Sequence, residues 1–176
     1  MVSAVVLTTL GISASDMLTS GTSVVAQLVG SDELSDRCPD GMVYVPTGRT
    51  FSCVDRFEAS PAATCPHATP VAGVETAENI AAASCQPQSV SAAQPWTFVT
   101  REQAVQLCTR AGKRLPTAAE WYQVAIDTPA DATHCNLRSA SVRPTDAASD
   151  CRSAVGTIDM VGNAWEWVVD DVIDGT

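Results

Sequence analysis

Lysine is almost missing from this chain: Lys113 is the only one in 176 residues, and acids outnumber basic residues twenty to ten. The arginines are scattered, and nowhere does a basic cluster sit among aromatics as a phosphate-binding surface requires, so no nucleic-acid partner is expected. Histidine is nearly as scarce. With only His67 and His134, and no Cys-x-x-Cys pair, a zinc centre has too few ligands to draw on. Long apolar runs are lacking too. The opening "MVSAVVLTTLGISASDML" stays apolar for only about a dozen positions before Asp16, whereas a helix crossing a bilayer takes about 20.

Cysteine is what the chain has in excess. Seven cysteines beside a single lysine point to an oxidising compartment and a disulfide framework, so the expected location is extracytoplasmic: periplasmic, secreted or surface-anchored. Closing nearest neighbours would pair Cys38 with Cys53, Cys65 with Cys85 and Cys135 with Cys151, each a local staple worth about 3 kcal/mol. Spacing alone does not fix that connectivity. Cys108 is then left over as a buried free thiol, a link to another chain, or one half of a bond to a cysteine further along.

Residues 1–36 carry no lysine or arginine, and they read either as the remnant of a signal or anchor that starts upstream or as a disordered leader. Membrane contact is expected only through such an anchor. Residues 38–176 read as one partial domain. Within it, "MVYV" and the run ending at Cys53 flank a Pro46-Thr47-Gly48 turn and predict a β-hairpin. Pro61 to Pro95 is rich in Ala, Ser, Pro and Gln without periodicity, and reads as a long surface excursion pinned by Cys65 and Cys85.

Two helices are predicted next. Thr100 with Gln103 makes a capping box, Ala104, Leu107, Cys108 and Ala111 recur at helical spacing, and Gly112 stops the helix. Thr117 with Glu120 repeats the box and opens a second helix through Trp121, Val124 and Ala125. Residues 130–155 read as loop, closed by Cys135 and Cys151.

The stretch "DMVGNAWEW" carries the clearest hint of chemistry. Asp159 and Glu166 lie seven apart around a Gly162-Asn163 turn, so both carboxylates and the carbonyls of Gly162 and Ala164 could converge on one point. Four oxygens of that kind suit a hard cation such as calcium, which takes six to eight. An ordinary turn before a buried strand has the same composition. In that reading Trp165 and Trp167 alternate across Glu166 and pack in the core.

Four segments in order, "CPDGMVYVPTG", "DRFEAS", "AVQLCTRAGKRLPTAAEWYQVA" and "IDMVGNAWEWVVD", resemble the successive signatures of the formylglycine-generating enzyme family, also called the sulfatase-modifying factor domain. The resemblance spans roughly Cys38 to Asp170. It implies a C-type-lectin-like fold: an α+β domain with little regular secondary structure, here cut before its final strands. It also implies calcium as a structural ion, held by the side chains of Asp159 and Glu166 and the carbonyls of Gly162 and Ala164. A second implied calcium site takes an asparagine and, fourteen positions on, an aspartate, which fall on Asn136 and Asp150 with the carbonyls of Leu137 and Arg152.

The family's founding members oxidise a sulfatase cysteine to formylglycine with a copper-binding cysteine pair in the C-terminal part. None of the seven cysteines here matches that pair, so copper and oxidase activity are expected only with that part. The same resemblance implies that the Cys108 position pairs with a cysteine in the final strand. The expected partners are a protein or peptide substrate, as for the enzymes, or a surface ligand. The latter would suit a non-catalytic ligand-binding or cell-surface display module built on the same scaffold.

Overall fold

The computed structural model describes residues 37–48, 50–139 and 141–170. The leader reading for residues 1–36 lies outside them. The described chain is a small mixed fold of two two-stranded sheets and three helices. Strands β1 (Met42–Tyr44) and β2 (Cys53–Asp55) form the expected hairpin, pairing antiparallel with Val43 opposite Val54. The chain then enters β3 (Ser60–Pro61), helix α1 (Gly73–Ala81), β4 (Pro87–Gln88), α2 (Arg101–Arg110) and α3 (Ala118–Ala125), with β3 paired antiparallel to β4.

Both capping boxes form. The Thr100 hydroxyl accepts from the Gln103 amide while the Gln103 side chain accepts from the Thr100 amide, and Thr117 and Glu120 do the same. Gly112, at φ +69°, takes the left-handed conformation that ends α2.

Helix α1 corrects the reading of 61–95 as irregular. Its N-cap, Ala72, offers no side-chain cap, and the residues it buries are polar: Thr76 and Asn79. Its apolar Val74 and Ala77 are exposed, so the face it buries carries little apolar signal. Hydrogen bonds hold the helix instead: Asn79 exchanges two bonds of 2.8 Å with the His67 backbone, and Thr76 accepts from the Trp96 indole at 3.1 Å. Arg110 on α2 donates to the carbonyls of Ile80 and Ala82 at the end of α1 and of Cys85 just beyond it, tying the helix terminus and the turn that follows to α2.

Two apolar clusters organise the interior. Val45, Val124 and Met160 form one, against Phe51, Val54 and Trp121; Cys85, Trp96 and Leu107 form the other, against Ile80 and Val99. Disulfides join Cys38 to Cys53, Cys65 to Cys85 and Cys135 to Cys151, leaving Cys108 as the free thiol. Half-buried on α2, Cys108 has its thiol pKa raised by burial and then by the Asp55 carboxylate nearby. The three intramolecular disulfides suggest an oxidising, extracytoplasmic environment. Among the described residues, no helix is long and apolar enough to cross a membrane.

Between the clusters runs an apolar groove of about 580 Å³ that meets all four tryptophans, Trp96, Trp121, Trp165 and Trp167. The expectation that Trp165 and Trp167 are core residues on a strand is not met. Residues 161–170 form no strand, Trp165 is fully exposed and Trp167 is 44 % exposed. The Trp167 indole is held at its polar end, donating to the Val99 carbonyl at 2.9 Å.

Candidate cation site in the Asn136 and Gly162 loops

The turn at 162–163 is built as its sequence requires. Gly162 (φ +91°) and Asn163 (φ +56°) both take the left-handed region, which glycine and asparagine tolerate best. A Cβ on Gly162 would also fall 2.8 Å from the Asn136 carbonyl oxygen. The 136 loop and the 162 turn are thus in direct contact, with the Asn163 amide donating to that same carbonyl at 3.1 Å.

Asn163 is the hub. Its side-chain oxygen accepts from the Asn136 side-chain amide and from the Arg143 backbone amide, each at 2.8 Å. Its amide nitrogen donates to Glu58 at 2.6 Å and to the Arg143 carbonyl at 3.1 Å. Glu58 also accepts from the Ala164 amide at 2.9 Å, so one buried carboxylate pins two successive residues of the turn.

Neither Glu58 nor Asn163 was singled out from the sequence as a site residue. Glu58 lies 105 residues from Asn163, and its only sequence signal is an acid flanked by Phe57 and Ala59 in "DRFEAS".

The sequence-predicted ligands divide into two neighbouring groups. In the first, Asp159 is buried at 3 % exposure, with a positive φ of 62°, and one of its oxygens accepts weakly from the Asp146 amide at 3.4 Å. Glu166 accepts from the Trp121 indole through one oxygen. In the second, Asn136 is 8 % exposed and Asp150 and Leu137 are exposed. The Cys135–Cys151 disulfide, with its Cα atoms 4.8 Å apart, holds the residues after 135 beside those on either side of 151. A single covalent bond therefore brings Asn136 and Leu137 toward Asp150 and Arg152.

The oxygens of these residues have unused capacity. Among the described residues, no hydrogen bond ends on the carbonyls of Leu137, Arg152, Gly162 or Ala164. Asn136 is more telling. Its amide nitrogen donates to the Ser141 carbonyl at 3.1 Å and to Asn163, two acceptors that fix which end of the amide is nitrogen. Its oxygen is left buried with no partner, as is one oxygen of Asp146. A buried unpaired acceptor costs about 1–3 kcal/mol, so this oxygen is the best reason to look for a missing donor or cation.

The electrostatics agree. Burial raises the Glu58 pKa to about 8 against its two hydrogen bonds, with the Glu166 and Asp159 charges adding to the rise. Burial likewise raises Asp159, and it takes Glu166 to about 7, although Glu166 as a residue reaches the surface and water there tempers the effect. Carboxyl groups are crowded here, and among the described residues none of Glu58, Asp159 and Glu166 has an ion pair to a basic side chain.

Among the described residues, no three Asp, Glu, His or Cys side chains gather as a metal-binding group. A cation here would lean on amide and carbonyl oxygens, as calcium does and zinc does not. No protein-family model matches this chain, and no curated protein or solved structure matches it at a significant level.

Proposed function

We propose that this chain is an extracytoplasmic, disulfide-stapled domain of the sulfatase-modifying factor kind, with a C-type-lectin-like fold in which calcium is a structural ion. One observation carries the calcium reading: the Asn136 side-chain oxygen is buried and unpartnered, beside loop carbonyls that accept no hydrogen bond. Asp150 and Asn136, with the carbonyls of Leu137 and Arg152, would hold one ion; Asp159 and Glu166, with the carbonyls of Gly162 and Ala164, would hold the other. When bound, calcium supplies positive charge that offsets the crowded carboxylates and ties loops that regular secondary structure does not reach. The chain's own contribution is positional. The Cys135–Cys151 bond closes one loop, and Glu58 and Asn163 set the other.

Thiol chemistry supports a scaffold role over an oxidase for these residues. A copper-binding cysteine pair needs two thiols, and six of the seven cysteines are spent in disulfides, leaving Cys108.

A second reading, a binding module for a protein or peptide, is favoured by the apolar groove and the exposed Trp165 on it.

Metal analysis of the dialysed full chain tests the calcium reading. Two calcium ions per chain are expected, falling to about one in Asp150→Asn and in Glu166→Gln. A chain that retains no calcium at millimolar supply, or variants that retain as much calcium as the wild type, would overturn the assignment.

A further inference from the structure

Resting on the calcium reading above, we infer that the two cation sites form one cooperative unit, coupled through Asn163. The geometry is direct. Asn136, whose side-chain oxygen belongs with Asp150 to one group of proposed ligands, donates its side-chain amide to Asn163 at 2.8 Å and receives the Asn163 backbone amide on its carbonyl at 3.1 Å. Asn163 sits between the Gly162 and Ala164 carbonyls, which belong to the group with Asp159 and Glu166. Glu58 grips this turn from the interior through the Asn163 side chain and the Ala164 amide, and Gly162 leaves no space against the 136 loop.

Ordering Asn136 around one ion therefore orders Asn163. Ordering Asn163 fixes the directions of the carbonyls on either side of it. The reverse path is the same set of bonds. Each ion thus meets a loop already partly immobilised by the other, and the conformational entropy lost on the second binding event is smaller than on the first. Glu58 is a positioning residue in this scheme. It touches no proposed ion, and acts by holding Asn163 and Ala164.

Calorimetric titration of the full chain with calcium chloride reads the coupling. Asp150→Asn and Glu166→Gln each leave one site, and their two single-site association constants define the uncoupled product. The overall wild-type constant is expected to exceed that product by about tenfold, within the usual range for coupled sites. Asn163→Gly, which keeps the left-handed backbone but removes the side-chain bridge, is expected to bring the overall constant down to the product measured in its own background.

A wild-type constant equal to the product would show two independent sites, overturning the coupling while leaving the calcium reading intact. An excess that survives Asn163→Gly would also overturn it, by placing the coupling elsewhere. A wild-type chain that takes up no calcium at all would remove the calcium reading and the coupling together.

Discussion

Replacing Cys135 and Cys151 together by alanine is expected to lower the unfolding free energy by about 2–5 kcal/mol and to cost the chain one bound calcium. Both cysteines are buried, with Cys135 at 4 % and Cys151 at 0 % exposure, and they close a loop that contains no helix or strand among its described residues. Loop residues of this kind are held mainly by the closure itself. Without it Asn136 no longer has a fixed position relative to Asp150. Equivalent replacement of Cys38 and Cys53, which are only half-buried and close a hairpin that also has its own ladder, is expected to cost less. Urea unfolding of both variants, with metal content measured alongside, checks the ranking. Equal losses, or a full calcium complement in the Cys135/Cys151 variant, would contradict it.

The second large effect is in the pH dependence of the calcium-free chain, where two buried glutamates pull in opposite directions. Glu120 is held well below the usual range, at about 2, chiefly by the Arg114 guanidinium at 2.6 and 2.7 Å, with the Thr50 hydroxyl and the Thr117 amide adding. Its folded pKa is depressed. Its stabilisation is therefore present above the unfolded value near 4.5 and is lost as pH falls toward about 2. Glu58 runs the other way. Its folded pKa is raised to about 8, so its protonated form suits the fold, and stability is lost as pH rises from about 4.5 through about 8.

The expected result in chelator is a maximum near pH ~5, with losses on the order of a few kcal/mol toward each side. Urea midpoints from pH 2 to 9 read this directly. A stability that rises monotonically from pH 5 to 8 would show that Glu58 ionises in the fold without penalty.

Much of the scaffold was legible from local signals. Both capping boxes, the 42–55 hairpin, the Gly112 stop and the three nearest-neighbour disulfides depend on residues close in sequence, and all are found. What escaped depends on distant partners. Helix α1 is held through the side chains of Thr76 and Asn79, so the face it buries is polar and gives little core signal. The exposure of Trp165 depends on which distant residues pack against it, which composition does not specify.

The candidate site was half legible. The Gly162-Asn163 turn and the acids around it stand out in the text, yet the residue that organises them, Glu58, comes from the other end of the domain. That the two ligand groups touch through Asn136 and Asn163 is a fact of tertiary packing alone.

Thermal melting at pH 8 in chelator and in millimolar calcium tests most directly the claim that calcium is a structural ion of this chain. A ligand present at about 100 times its dissociation constant stabilises by about 2.7 kcal/mol, which for a chain of this size raises Tm by roughly 5–10 °C. That rise is predicted for the wild type, with a smaller one in Asp150→Asn and in Glu166→Gln. A wild-type melt unmoved by calcium, or one shifted equally in all three proteins, would contradict it.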